Sequence, residues 1–408
     1  MNEHFVIVIH TFNSEDNLRR LLESIQNNPE LCRTQVLIVD DSTATSSVVT
    51  NRKTADSLDL YTTIVSRSEW EILKSKWFEE YSFSPAAADL LASLTLGEEG
   101  WNVHNARNIS MLLAASLFHG VFYAFNLDDD IVIPPDFSLD NIGTGNLSCV
   151  KIRGCPDFSR LEWIGVYLRH LCKGFQISPA HRRKGYIERV VQTLPSDALA
   201  AILKKYTDFV VLPSLGKTTW FPQREEYYGA CFISNLGRIG DVAFPAWFDN
   251  DWFYFQHRRG EGRVRFEDRY VIHESKQKCI LSRKWLEFEE DGKITNAIFD
   301  LPIVTSEDFQ HVINYRLELI SDDTSLTTSL LDKVQSKELS QQLTNVLNSL
   351  RLLHEHVVSQ ELDHHLADID DFQVRSGNWK ELVNQLGLGQ VPVSIPRVPS
   401  GLVAASLV

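Results

Sequence analysis

Three consecutive aspartates, Asp128-Asp129-Asp130, follow directly on the apolar run Val121–Leu127. Like carboxylates this close repel one another and resist desolvation, so the cluster is costly unless a cation or hydrogen-bond donors compensate it. Hard divalent cations prefer oxygen ligands, and Mg²⁺ or Mn²⁺ commonly bridges one or two carboxylates to substrate phosphates. In a loop the same triplet would read as a solvated turn. At the end of a buried strand it reads as a ligand site, because open α/β sheets bind ligands beyond the carboxyl ends of their strands. A second cluster, Phe248-Asp249-Asn250-Asp251-Trp252, lies among further aromatics (Phe244, Trp247, Phe253, Tyr254, Phe255). Aromatic walls can stack on a sugar or base and leave Asp251 or Asp249 as a general base. A surface turn between core segments would look the same. His273, after Tyr270-Val271-Ile272, offers an imidazole nitrogen to a metal, although a lone histidine is more often structural.

The elements that must position these groups are clearest at the start of the chain. Phe5–Ile9 is an apolar run of the kind found in a strand buried on both faces. A polar loop, His10–Asn13, leads to Ser14, which can cap a helix carrying Leu18, Leu21, Leu22 and Ile25 on one face. Val36–Val39 is a second buried strand, ending in Asp40-Asp41-Ser42, and the three elements form a βαβ unit. Helices are expected near Glu69–Tyr81 and Ala86–Leu94, and another from Asn105 to Leu117. Strand-like pieces at Leu147–Ile152 and Phe209–Leu212 flank the basic run His181–Lys184, a solvated face or a receiver for an anionic acceptor. Beyond about residue 300, Leu339, Leu343, Val346, Leu350, Leu353 and Val357 alternate spacings of four and three, a short heptad seam. The expected organisation is an α/β domain over 1–300 (halves 1–140 and 141–300), a helical appendix over 301–387 and an extended tail over 388–408. The seam pairs with a second copy of the chain or packs on its own domain.

Composition excludes more than it identifies. Across 408 residues, 54 acidic side chains outnumber 40 basic ones for a net charge of −14. A protein that coats nucleic acid or anionic lipid needs the opposite sign. Residues 301–408 hold 14 acids and 7 bases, so half of the excess charge sits in the helical segment rather than near the strand-end aspartates. No stretch reaches the roughly 18 uninterrupted apolar residues of a membrane span. The opening residues do not read as a signal peptide, and the six scattered cysteines form no CxxC pair. A cytoplasmic protein with reduced thiols is the expectation.

Taken together, these pieces resemble the GT-A nucleotide-sugar glycosyltransferases, especially the family 2 type. Phe5–Asn13 resembles that family's opening strand and loop, and Val36–Ser42 (VLIVDDS) its nucleoside-binding strand end. Asn105-Ala106-Arg107-Asn108 resembles its ARN element, and Phe125–Phe137 (FNLDDDIVIPPDF) its metal-binding DxD segment, the most specific match. Gly229–Ile233 resembles the acceptor-side strand, with Asn250-Asp251 where the family often has Glu-Asp. The resemblance implies a mixed Rossmann-like sheet flanked by helices and a metal-dependent inverting glycosyltransferase using Mn²⁺ or Mg²⁺. It implies a UDP-sugar donor and a hydroxyl acceptor. It implies that Asp40, Thr11 and Asn13 line the nucleoside pocket, with Arg107 near the diphosphate. Asp128 and Asp129 would face the nucleotide-sugar, Asp130, Asp128 and His273 the metal. Asp251, with Asp249 as substitute, would deprotonate the acceptor.

Two other readings use the same residues. Asp128–Val132 satisfies the DxDx[TV] pattern of haloacid-dehalogenase-like phosphatases, whose first Asp, here Asp128, is a phosphorylated nucleophile. That motif usually sits on an early strand, whereas here a whole βαβ unit precedes it. The other reading is a catalytically degenerate GT-A module that only binds. The histidines at 354, 356, 364 and 365 tempt a metal reading, but positions two apart do not share a helix face.

Overall fold

The strand β1 (Phe5–Thr11) is an interior strand of the sheet because its apolar run has two faces to bury. Val6 and Val8 enter one hydrophobic cluster and Ile7 and Ile9 the other, all at 0% exposure. The same alternation repeats in β2 (Gln35–Asp40), where Leu37 and Val39 face one cluster and Val36 and Ile38 the other. A computed structural model of the chain describes residues 4–97, 103–118, 120–139, 147–155, 231–246, 254, 264–274, 283–299, 304–332 and 337–388.

Between β1 and β2 runs α1 (Glu15–Gln26), with Leu18, Leu21, Leu22 and Ile25 buried as the spacing predicts. Ser14 holds the N-cap position, but its hydroxyl accepts from the Asn17 side-chain amide (2.9 Å) rather than from the helix backbone. After α2 (Thr45–Ser57), β3 (Thr62–Ser66), absent from the sequence reading, extends the sheet. Its short, mostly polar sequence gives no apolar run to detect. The helices α3 (Arg67–Glu80), α4 (Pro85–Ser93) and α5 (Val103–Leu117) follow, near the expected positions. The strand β4 (Tyr123–Asp128) ends at the aspartate triplet, and β5 (Ile131–Val132) follows the turn. Then come β6 (Leu147–Cys155), β7 (Cys231–Asn235), a 3₁₀ turn at Leu236–Asp241 and β8 (Val264–Glu274).

These strands form one eight-stranded sheet in the order β3-β2-β1-β4-β7-β6-β8-β5. The first four are parallel, β7 runs antiparallel to β4, and β6 and β8 are parallel to each other. A mixed sheet flanked by helices, followed by a helical C-terminal region, agrees with the expected architecture. The carboxyl ends of β1, β2 and β4 are adjacent because the registers pair His10 with Asp128 and Thr11 with Asp40.

The C-terminal helices are α6 (Arg283–Phe299), α7 (Ser306–Leu331), α8 (Lys337–Val358) and α9 (Leu362–Gln385). Of the heptad seam, Leu350, Leu353 and Val357 are buried, and α8 packs against α6 and α7 of its own chain. A bidentate pair between Arg316 (α7) and Glu290 (α6), at 2.5 and 2.9 Å, is buried in that bundle. The last helix does more than append. Trp379, Leu382 and Val383 belong to the same cluster as Val6 and Val8, and Trp379 Nε1 donates to the Ile239 carbonyl at 2.6 Å. The helix α9 therefore shares the sheet's core. Within the described residues no helix is long and apolar enough to cross a membrane. The tail beyond 388, His181–Lys184 and Phe209–Leu212 lie outside the described residues.

Two outcomes follow from this packing. Trp379→Ala should destabilise the whole protein, not only the last helix, by about 3–5 kcal/mol, as other buried Trp truncations do; chemical denaturation followed at the sheet measures it. His365, fully buried on α9 and hydrogen-bonded to Thr295 at 2.9 Å, has its pKa pushed down to about 4, chiefly by burial. The unfolded chain binds that proton first, so its contribution to stability is complete above the ordinary histidine value and is lost as pH falls toward 4. The melting temperature of His365→Gln should accordingly fall less steeply over that window than that of the native chain.

Candidate functional site

The site begins where three parallel strands stop. Thr11 ends β1, Asp40 ends β2 and Asp128 ends β4, and the next residues of each strand turn outward as loops. The triplet splits its carboxylates between two environments. Asp129 turns back toward β1, where the buried Thr11 hydroxyl donates to its Oδ2 at 2.7 Å. Burial, then the neighbouring Asp130, push its pKa well above the usual carboxylate range; Asp128 adds to this, while the Thr11 bond and the Phe12 backbone oppose it. All three aspartates are half-buried and Asp130 Oδ1 is itself buried, so the triplet is divided by its partners, Thr11 for Asp129 and Arg107 for Asp128, rather than by exposure.

The cation facing them is Arg107 of α5, whose Nη2 lies 3.6 Å from Asp128 Oδ1. The guanidinium is almost wholly buried and sits 5.7 Å from the Phe244 ring centroid, a cation–π arrangement. Its helix is tied to β1 through Ser110 and His10; the sequence places the His10–Asn13 loop at the strand ends but gives neither side chain a role. Ser110 donates its only hydroxyl proton to the Arg107 carbonyl (2.8 Å), so at 2.7 Å it accepts from His10 Nε2–H. His10 is therefore the Nε2–H tautomer, and burial, then the Arg107 charge, hold its pKa down at about 3. The signal in the sequence was weak: Ser110 follows Arg107 by three residues, and His10 reads as loop although β1 continues through it.

Asp40 and Asn13 have different work from that expected. Asp40 is fully buried; its Oδ1 accepts from the Ser42 N–H and its Oδ2 from the Asn51 side chain, both at 3.0 Å. Its carboxylate shapes the β2 loop through one accepted bond at each oxygen. Asn13 adopts a left-handed backbone (φ 49), which Asn tolerates better than most residues. Its side-chain carbonyl accepts from the Thr43 and Ala44 N–H groups at 3.2 Å, and its own N–H donates to Ser42 Oγ at 2.9 Å. The loops after β1 and β2 are thereby tied together. Asp41 extends the tie by accepting from the N–H of Gly97, which has φ of 70 and room for little beside Arg67.

For His273 the sheet register is what is described. Its position on β8 pairs with Ile131 of β5, one residue after Asp130. Among the described residues no group of three or more His, Cys, Asp or Glu side chains is gathered as a metal cage. The chemistry of the triplet is that of oxygen donors, the kind a hard divalent cation takes, with the Arg107 guanidinium 3.6 Å from Asp128 as the competing cation. Asp249 and Asp251 lie outside the described residues.

No protein-family profile matches the chain, and no curated protein is detectably similar to it. Among solved structures, S. aureus TarS residues 1–349 aligns over 94% of this chain and 91% of its own, at 14% identity and a TM-score of 0.36. The same protein in complex with UDP-GlcNAc aligns over 86% and 90%, at 12% identity and a TM-score of 0.37. Glucosyl-3-phosphoglycerate synthase from Mycobacterium tuberculosis, in complex with Mg²⁺ and UDP, aligns over 75% and 82%, at 11% identity and a TM-score of 0.39.

The Thr11–Asp129 bond is testable by itself. Thr11→Val keeps the shape and removes the donor, so Asp129 loses the contact that turns it away from its neighbours. Partners of this kind around a metal site typically carry 10–100-fold in metal affinity. Mn²⁺ titration of Thr11→Val should show a weakening in that range, with the far-ultraviolet dichroism unchanged.

Proposed function

We propose that the protein transfers a sugar from a nucleotide-sugar donor, a UDP-sugar first, to an acceptor hydroxyl with inversion, and that it depends on Mn²⁺ or Mg²⁺. The observation that supports this reading is the triplet's place at the carboxyl end of β4, with the Thr11 hydroxyl on Asp129 and the Arg107 guanidinium beside Asp128. A catalytic Asp nucleophile, as in the phosphatase reading, is less well served, because the Arg107 guanidinium lies against Asp128.

In the proposed reaction the acceptor oxygen forms a bond to the anomeric carbon as the bond to the diphosphate breaks. The electron pair of the broken bond leaves with the nucleoside diphosphate, and the acceptor proton passes to Asp251, or to Asp249 in its place. A divalent cation held by Asp130 and Asp128, with His273 as a further ligand, would neutralise charge on the leaving diphosphate. Arg107 holds Asp128 in place and adds positive charge beside the diphosphate. The loop pair fixed by Asn13 and Asp40 forms the floor for the nucleoside, with Asp128 and Asp129 on the donor side. A positioned general base contributes about 10²–10⁴-fold in rate.

The test is a donor screen with Mn²⁺ and with EDTA, reading donor hydrolysis and stabilisation by nucleotides. One or more nucleotide-sugars should be turned over with the metal and not with EDTA. Asp130→Ala should abolish that turnover and keep the native melting temperature. Native-like turnover by Asp130→Ala, or no nucleotide binding under any metal condition, would sink the assignment.

A further inference from the structure

A cavity of about 230 Å³ opens between the sheet domain and the C-terminal helices. Its floor includes Phe244, which stacks beside Arg107, and Phe372 and Trp379 of α9. Its walls carry Asp291 of α6 and Asp368, Asp371 and Arg375 of α9. Through Arg107 the cavity is one side chain removed from Asp128. Its wall at Phe244-Pro245-Ala246 runs in sequence directly into Trp247–Asp251, the segment that carries the expected base. Asn108, from the turn of α5 that bears Arg107, closes this wall by exchanging hydrogen bonds with the Phe244 backbone at 2.9 and 3.0 Å.

We propose that this cavity receives the acceptor, and that the acceptor is a sugar-sized polyol carrying a positively charged amine. The proposal rests on the transferase reading and names the substrate class of that site. Its volume lies below the roughly 300–1,000 Å³ of sites for drug-sized ligands, which suits one monosaccharide or one unit of a longer chain. Aromatic rings offer apolar faces to a sugar's C–H edges, and carboxylates accept its hydroxyl protons. Three carboxylates against one guanidinium and one imidazole, His364, give the lining an excess of negative charge, which attracts an ammonium and repels a phosphate. The carboxylates also crowd one another: burial, with Asp291 and Asp371 adding to it and His364 opposing, raises the pKa of Asp368. Asp291 is partly compensated by His356, at 2.6 Å across the bundle. Asp368 and Asp371 are thus the pair on which an incoming cation has most to gain. The helices α6 and α9 would then set acceptor choice, while the strand ends handle the donor.

Calorimetric titration of the full chain with D-glucosamine, D-glucose and D-glucose 6-phosphate at neutral pH tests this. D-glucosamine should bind at least about tenfold more tightly than D-glucose 6-phosphate, with D-glucose between them. Asp371→Asn, at an exposed position where folding is not at stake, should weaken D-glucosamine about tenfold or more and bring it close to D-glucose. Asp368→Asn should do the same, with melting temperature reporting its fold. The inference is overturned if D-glucosamine does not bind, if the phosphate binds as well as the amine, or if Asp371→Asn leaves the preference intact. UDP titrated separately with Mn²⁺ keeps the two ideas apart: loss of UDP binding with the amine preference retained defeats the donor reading and not the charge preference of the cavity.

Discussion

Three consecutive carboxylates at the end of a buried strand cannot all face one another without compensation, and the arrangement around them supplies it from two sides. The Thr11 hydroxyl takes up Asp129 from β1, and the Arg107 guanidinium approaches Asp128 from α5. Both partners are themselves buried and held in place, Thr11 by the sheet register and Arg107 by its helix and Phe244. Preorganised partners of this kind cost nothing at the moment a ligand binds, because the protein has already fixed their geometry in folding. Burial and the neighbouring aspartates disfavour charge on Asp129, so the repulsion within the triplet is eased at its middle member.

The polar layer around that cluster is larger than the cluster. Asp40 with Asn51 and Ser42, Asn13 with Thr43 and Ala44, and Asp41 with Gly97 knit three loops into one rim. The neutral His10 and Ser110 connect β1 to the Arg107 backbone. Buried polar groups are expensive when unpaired, so a rim of reciprocal bonds is also a rigid one. The C-terminal helices reach the same neighbourhood by apolar packing: Trp379 and Phe372 sit in the core that also holds Phe244 and Val8. A cavity between two layers results, with one wall from each.

Much of the frame was legible in the sequence for a simple reason. β1, β2 and α1 bury continuous or helically spaced apolar residues, and such periodicity survives any tertiary context. The strand β3 was not legible, since Thr62-Thr63 breaks its apolar pattern and its place at the sheet edge comes from pairing with β2. The heptad spacing of α8 was visible, but spacing alone could not say whether Leu350, Leu353 and Val357 would meet another chain or, as found, the neighbouring helices. Asp40 shows the limit for single residues. An acid after an apolar strand looks open to a ligand, and only the positions of Asn51 and Ser42 reveal that its oxygens are already engaged.

The sequence by itself determined that an aspartate triplet would end a buried strand of an α/β sheet, because strand length and apolar content are local properties. Only the tertiary structure decided which of the three turns inward. That choice depends on Thr11, 118 residues away, and on Arg107, brought alongside by the packing of α5 on β1. The same holds for the acidity noted at the outset. Half of the net charge belongs to the C-terminal segment, and composition makes that look like solvated surface. The fold sets the half-buried Asp368 and the exposed Asp371 on the wall of a cavity beside Phe244, because α9 buries its apolar stripe in the sheet's own core. Charge is additive along a chain, but the field it makes is fixed by which faces the core leaves exposed.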